Sequence, residues 1–344
     1  MKRHWHLKGD LSTLPNSNTF SKIICSPFHE PWYNLALEEV LLEGVRDNEV
    51  ILYLWQNENT VVVGKNQNAW KECDWKLLQA EGGKLARRLS GGGGVFHDLG
   101  NLNYTFIMPK QLYNLDKQVG VILSSLRALG IDAQYSGRND LTVNDKKFSG
   151  NAFYFQENAS YHHGTLLINT DFTKMLRYLK VSQEKINSKG IDSVRARVMN
   201  LAEIKAGLTP FIVGESLKTS FQQLYGKAQE ISAENYTEAV NALSKKYASW
   251  QWRFGESPKF DISFAKRFIW GGIEINFTLK DGIIEQAIIY SDAMDSAFIE
   301  KLGFTMQGLP LELKAIEQSL QKLASCSYEA EMLQDILGWL QSKL

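Results

Sequence analysis

Four consecutive glycines, Gly91, Gly92, Gly93 and Gly94, sit between Arg87, Arg88 and Ser90 on one side and His97 and Asp98 on the other. Glycine loses more backbone entropy on folding than any other residue. Glycines kept in series between two strands therefore point to backbone lying close to a ligand. Freed of side chains, successive N–H groups can turn toward an anion and form a nest. Two arginines and a hydroxyl beside them suit a carboxylate or a phosphate. A glycine-rich hairpin turn is the plainer reading of the glycines alone; the double arginine and the His-Asp pair weigh against it. The chain has no G-x-x-x-x-G-K-[ST] run, so this is not a P-loop. Contiguous glycines with no helix signature behind them do not fit the dinucleotide fingerprint either.

Residues 137–152 (GRNDLTVNDKKFSGNA) read as a strand over 140–143, a turn at Asn144-Asp145 and a second strand carrying Lys147 into Ser149-Gly150. A lysine there can direct its ammonium at a phosphate or an acyl carboxylate. Asp140 can serve Mg²⁺, which takes one or two carboxylates plus phosphate oxygens. A charged, solvent-exposed hairpin is the competing reading. His162 and His163 precede a strand. Neighbours in a strand point to opposite faces, so they cannot jointly clamp a zinc ion. One is expected to face a pocket and the other the exterior. The basic stretch 188–201, with Lys189, Arg195 and Arg197, is either a solvated face or a loop closing on a nucleotide. There is no G-x-S-x-G elbow, and Cys25, Cys73 and Cys326 lie outside all these stretches, which disfavours a covalent acyl-enzyme.

The elements that must position these residues alternate between short strands and helices. Helical spacing of Leu37, Val40, Leu41 and Gly44 predicts an amphipathic helix over 34–45. The β-branched runs 50–54 and 60–63 read as paired strands, and 95–96 and 103–108 as strands flanking the glycines. A helix is expected over 117–129, closed by Gly130. Residues 206–246 look mostly helical, and Gly255 and Pro258 within 250–260 break that periodicity. Beyond them, 271–279 and 283–290 form a hairpin, then three helical segments follow. The division expected is an N-terminal extension (1–20), a catalytic domain (21–255) and an accessory α+β domain (259–344).

Composition narrows the partners. Lys+Arg and Asp+Glu are both 38 in 344 residues, so the formal net charge is zero and no global field attracts nucleic acid or an anionic membrane. Three widely spaced cysteines form no disulfide framework and suggest a reducing compartment. No apolar run nears the ~18 residues of a spanning helix, and the N-terminus has neither signal nor transit character. The expectation is a cytoplasmic protein.

Read in order, these stretches resemble lipoate–protein ligases of the two-domain bacterial type. The match runs through PWYNLALEE (31–39), LWQNENTVVVGKNQNAWKEC (54–73), RRLSGGGGVFHDLGN (87–101), GRNDL (137–141), KFSGNAF (147–153), HHGTLL (162–167), KGIDSVRARVMNL (189–201), WRFGESPKF and WGGIEI. Motifs of this length in this order are highly specific. The resemblance implies an α+β fold, a catalytic domain like that of biotin–protein ligases and class II aminoacyl-tRNA synthetases with mixed or antiparallel sheet and flanking helices. It also implies a small C-terminal α+β domain that rotates between half-reactions. The activity implied is ATP-dependent conversion of lipoate to lipoyl-AMP, then transfer to a lysine of an acceptor. Acceptors would be the E2 lipoyl domains of 2-oxoacid dehydrogenases and the glycine cleavage H protein. ATP and Mg²⁺ would be required, and the protein would be a monomer serving lipoate salvage.

Position by position, Lys147 would be essential, touching both the lipoyl carboxylate and the α-phosphate. Lipoate would lie against Trp55, Arg88, Ser90, Gly91, Gly92, Gly93, Gly94, His97 and His163. The nucleotide would meet Gly93, Val95, Phe96, Asn139, Asp140, Lys147, Gly150, Ala152, Lys189, Val194 and Arg195, with Asp140 on the metal side. Gly94 stands where many relatives carry alanine, and residues before about Ser21 lie outside the resemblance. Rival readings are an acyltransferase lacking ATP activation, a biotin ligase (whose loop reads G-R-G-R-x-G) and a catalytically silent lipoyl-domain binder. Relatives that are amidotransferases use a cysteine nucleophile, which has no match here.

Overall fold

The computed structural model describes residues 19–136, 139–180, 197–254, 261–280 and 282–344. In chain order the first elements are β1 (Phe20–Cys25), α1 (Pro31–Gly44), β2 (Glu49–Trp55), β3 (Thr60–Val63), α2 (Ala69–Glu72), α3 (Trp75–Ala80), β4 (Lys84–Arg87), β5 (Val95–His97) and β6 (Asn101–Pro109). Then come α4 (Leu115–Ala128), β7 (Gln134–Ser136), β8 (Asp140–Val143), β9 (Lys146–Phe155), β10 (Ala159–Leu167), α5 (Phe172–Tyr178), α6 (Pro210–Tyr225), β11 (Ala228–Ser232), α7 (Thr237–Ala248) and α8 (Trp250–Phe254). The last are β12 (Ile262–Phe268), β13 (Gly271–Lys280), β14 (Ile283–Ser291), α9 (Ser296–Met306), α10 (Leu313–Leu320) and α11 (Ser327–Leu340).

An eight-stranded mixed sheet runs in the order β11-β1-β2-β6-β10-β9-β8-β7. Its central strands are apolar on both faces because helices cover both. One face packs Leu52, Tyr104, Phe106 and Leu166 against α4 and α6; the other packs Ile51, Tyr53, Ile107 and Tyr161 against α1 and α7. A separate three-stranded sheet, β4-β3-β5, carries the glycine run between β4 and β5. A third sheet, β12-β13-β14, buries Ile275, Phe277 and Ile289 under α9, α10 and α11.

Several expectations change. Strands 50–54 and 60–63 do not pair: β2 pairs with β1 and β6, and β3 with β4 and β5. Between them buried Asn57 and positive-φ Asn59 take the chain out of the large sheet. The Asn34 amide donates to the Gln56 carbonyl (2.8 Å) and to Asn57 Oδ1 (2.9 Å), tying that exit to α1. The strand ahead of the glycines is β4, which was not foreseen. The helical stretch 206–246 is interrupted by β11, a partly exposed edge strand whose single pairing is parallel to β1. The helix expected from residue 34 begins at Pro31, where proline at the first position needs no N–H partner. The β8–β9 turn is as expected: Asn144 (φ 51°) and Asp145 (φ 60°) form the tight left-handed pair that matches strand twist.

His162 is buried, not exterior. It lies between Gln118 of α4 (3.0 Å) and Asn151 of β9 (2.7 Å), because α4 and α6 cover the sheet face that sequence alone left open.

Candidate active site

The two expected motifs meet in one cavity of about 310 Å³. Its walls include Gly92, Gly93, Gly94 and Val95 from the loop and start of β5, and Asn139, Asp140, Lys147, Gly150 and Ala152 from the β8–β9 arm. Trp55, His97 and His163 close its inner end with Leu35 and Val62, an apolar and aromatic lining of the kind that holds an acyl chain.

Arg88 shapes the loop from beneath. It is 6% exposed, and its guanidinium donates to the Gly91 (2.7 Å), Gly93 (2.8 Å) and Val62 (3.2 Å) carbonyls and to Ser90 Oγ (3.1 Å). Desolvation lowers its pKa to about 10, which leaves it charged at neutral pH. Arg87 points the other way and donates to the carbonyls of Gly64 (2.9 Å), Lys65 (2.9 Å), Gln67 (2.7 Å) and Arg253 (2.8 Å). Arg88 thus ties down the Gly91 and Gly93 carbonyls while Gly92, Gly93 and Gly94 line the cavity. Gly64 is required by this arrangement: a Cβ there would lie 2.3 Å from the Gly92 oxygen.

A buried chain of hydrogen bonds fixes the inner end. Arg88 Nε donates to Ser90, leaving the Ser90 hydroxyl to donate to His163 Nε2 (2.8 Å). His163 Nδ1–H then donates to Glu38 Oε1 (2.8 Å), which also accepts from Thr105 (2.7 Å), itself the acceptor for Trp55 Nε1 (3.0 Å). Ser90, His163 and Glu38 have the composition of a hydrolytic triad. Ser90 is fully buried, does not line the cavity and already accepts from Arg88, so the trio acts as a positioning chain.

The tautomer of His97 follows from its neighbours. Asn34 accepts at Oδ1 from Ser26 (2.6 Å) and Tyr53 (3.1 Å), so its amide nitrogen faces Asn57 Oδ1. Asn57 must then offer its own N–H to His97 Nδ1 (3.1 Å). His97 carries its proton on Nε2, a buried atom with no protein partner, beside the cavity that the ring lines. Burial pushes its pKa down to about 3, so it is a neutral donor for an anionic or carbonyl oxygen.

Lys147 Nζ lies 2.7 Å from Asp140 Oδ1, both side chains more than one-third exposed. Residues 197–199 grip the lysine backbone on both sides: Lys147 N donates to the Arg197 carbonyl (2.6 Å) and Met199 N to the Lys147 carbonyl (2.9 Å). The ammonium overhangs Gly150, where a Cβ would stand 3.2 Å from Nζ. Among the described residues no three His, Cys, Asp or Glu side chains cluster as a metal cage. Asp140 therefore fits Mg²⁺ only as one protein ligand of an ion borne mainly by phosphate oxygens.

Of the other expected residues, Gly91 backs onto the accessory sheet and Phe96 turns into the cluster with Val61 and Tyr178, so neither their side-chain positions nor that of Ser90 line the cavity. Lys189, Val194 and Arg195 lie outside the described residues. Sequence reading missed Arg267, Asp292 and Met294, which complete the cavity from β12 and the segment after β14. Their signal was faint: an arginine in a strand and an aspartate in a loop, about 200 residues from the glycines. No helix among the described residues is long and apolar enough to cross a membrane.

The mixed sheet with flanking helices, the glycine loop facing a lysine, and the smaller C-terminal sheet-and-helix unit together define the biotin/lipoate ligase class of fold. Comparison narrows this. The family model of the lipoyl protein ligase A/B catalytic domain matches residues 30–222, and that of the bacterial lipoate protein ligase C-terminus matches 257–340. Lipoate-protein ligase A of Blochmanniella floridana is 38% identical over 329 residues, covering 93% of this chain and 97% of its own. The crystal structure of P. falciparum LipL1 in complex with lipoate superposes with a TM-score of 0.82 at 30% identity, over 93% of this chain and 99% of that one. A bi-partite lipoate protein ligase from Thermoplasma acidophilum, studied with its E2 lipoyl domain, gives 0.61 at 26% identity, over 71% and 100%. The chain belongs to the lipoate–protein ligase family and is an enzyme.

Proposed function

We propose that this enzyme activates lipoate with ATP and transfers the lipoyl group to a lysine of an acceptor protein. The observation that carries the reading is that Lys147, the glycine loop and an apolar, aromatic inner wall share one cavity. In the first half-reaction a carboxylate oxygen of lipoate attacks the α-phosphorus; the bond to the bridging oxygen breaks and its electron pair leaves with pyrophosphate. Lys147 would offset the repulsion between the carboxylate and the α-phosphate and the charge building on the α-phosphate oxygens, and the loop backbone would hold the acyl end. In the second, an acceptor amine attacks the acyl carbon, AMP leaves with the electron pair of the acyl–oxygen bond, and the amine proton passes to solvent. No general base is required if that amine arrives neutral.

The lipoyl tail would lie along Arg88, Gly92, Gly93 and Gly94 toward Trp55, His97 and His163. The nucleotide would lie by Val95, Asn139, Asp140, Gly150 and Ala152, with Mg²⁺ on the Asp140 side. Residues 21–255 would form the catalytic domain and 259–344 the accessory domain. Acceptors would be E2 lipoyl domains, the subject of the Thermoplasma study, and the glycine cleavage H protein. Three free thiols fit a reducing compartment, and we place the enzyme in the cytoplasm, acting as a monomer in lipoate salvage. The test is intact-mass measurement of an apo lipoyl domain incubated with enzyme, lipoate, ATP and Mg²⁺. A gain of one lipoyl group, dependent on ATP, supports the reading; a gain independent of ATP removes the activation step.

A further inference from the structure

The cavity has a second charged wall. Arg267 of β12 and Asp292, just after β14, line the same cavity as the Lys147–Asp140 pair. Asp292 accepts Gly272 N–H at Oδ1 (2.6 Å) and takes two Arg267 N–H groups on Oδ2 at 3.3 and 3.2 Å. A guanidinium has five N–H donors, so most of those of Arg267 remain available, and its side chain is 38% exposed. Arg88, by contrast, spends its donors on the loop carbonyls. The glycines of β13 make room: a Cβ at Gly272 would stand 3.2 Å from Arg267 Nη1. Asp292 is also held in place from both sides. Ser291 N donates to the Asn66 carbonyl (2.7 Å), Gly92 N donates to the Ala293 carbonyl (3.0 Å), and Asn66 Nδ2 donates to the Ser296 carbonyl (2.8 Å). With Arg88, Lys147 and Arg267 against Asp140 and Asp292, the walls carry one excess positive charge beside a neutral His97.

We propose that Arg267 is the residue that receives the β- and γ-phosphates of the nucleotide and stabilises the departing pyrophosphate. This deepens the activation step proposed above and rests on it. With Lys147 at the carboxylate and α-phosphate, the outer phosphates extend toward the accessory wall. There a planar guanidinium can bind two phosphate oxygens at once. As the bond between the α-phosphorus and its bridging oxygen breaks, the electron pair moves onto the β-phosphate oxygen and the Arg267 charge meets it. No proton moves. The second half-reaction has no pyrophosphate and makes no use of this residue.

Arg267→Ala and the shorter, uncharged but polar Arg267→Gln test this in the full chain. Calorimetric titration with α,β-methylene-ATP should show at least tenfold weaker binding in both variants, with AMP affinity changed by less than about twofold. Lipoate-dependent ATP–pyrophosphate exchange should fall on the order of 10²-fold, while transfer from preformed lipoyl-AMP to an apo lipoyl domain keeps its rate. Equal weakening of AMP and the ATP analogue, or an equal loss of transfer, would reduce Arg267 to a structural role and overturn the inference. So would wild-type exchange that survives in both variants. Absence of exchange in the wild type would instead strike the activation reading itself.

Discussion

At the scale of single residues the site works through a few side chains whose protonation is fixed by their neighbours. His97 is the clearest case. Its Nδ1 is bound by Asn57, its ring is buried, and its pKa is held at about 3 against an ordinary 6.5. The folded state thus binds its proton later than the unfolded state as pH falls. Its contribution to stability is complete above pH 6.5 and is lost as the pH drops below that value. Between pH 7 and 5 this amounts to about 2 kcal/mol for one histidine. Urea denaturation at the two pH values should show His97→Gln losing less stability than the wild type over that interval. An unchanged difference would mean that His97 titrates normally. The chain from Ser90 through His163 to Glu38 shows where sequence reading stops. The residue types were visible in the sequence, but Glu38 lies 125 positions from His163 and inside a helix that looked merely amphipathic.

At the scale of elements the small β4-β3-β5 sheet is the platform on which the glycine loop is set. The end of β3 approaches that loop so closely that Gly64 admits no side chain. Gly64→Ala is expected to displace the Gly92 carbonyl, costing about 1–3 kcal/mol by overpacking. Because the displaced groups face the cavity, lipoate affinity measured by calorimetry should fall at least tenfold. Unchanged affinity would show that the loop does not hold the ligand. The strands and helices nearest the glycine loop were legible because their signals are local: β-branched runs, helical apolar spacing, an Asn-Asp turn. The pairing of β2 and β3 was misjudged because pairing depends on tertiary partners. β11 and β12 were missed because their partly exposed faces carry a weak apolar pattern. The small C-terminal α+β unit could be read from the order of its elements, whereas the class of the larger part came from the family resemblance.

At the scale of the whole molecule, the end of β14 and the segment after it are docked on the glycine loop and on Asn66 by backbone contacts. Gly91 is the closest approach in that contact, since a Cβ there would lie 2.3 Å from the Ala293 oxygen. Exposed ion pairs such as Lys71–Glu274 (2.6 Å) add little by comparison. Gly91→Ala should therefore push the two parts apart, read as an increased radius of gyration in small-angle scattering with little change in secondary structure. An unchanged radius would mean that other contacts carry the docking. This arrangement was illegible in sequence, because nothing local in a segment such as Ser291-Asp292-Ala293-Met294 announces a partner 200 residues away.

The most direct test of activation is lipoate-dependent exchange between ATP and labelled pyrophosphate, run on the intact enzyme beside Lys147→Ala. Exchange that requires lipoate and falls roughly 10²–10³-fold in the variant is the expected result. Its melting temperature should hold, because Lys147 is 38% exposed and its pairing with Asp140 contributes little to stability. Lipoyl transfer from synthetic lipoyl-AMP with no exchange in the wild type would contradict the account, leaving a transferase that does not activate its own substrate.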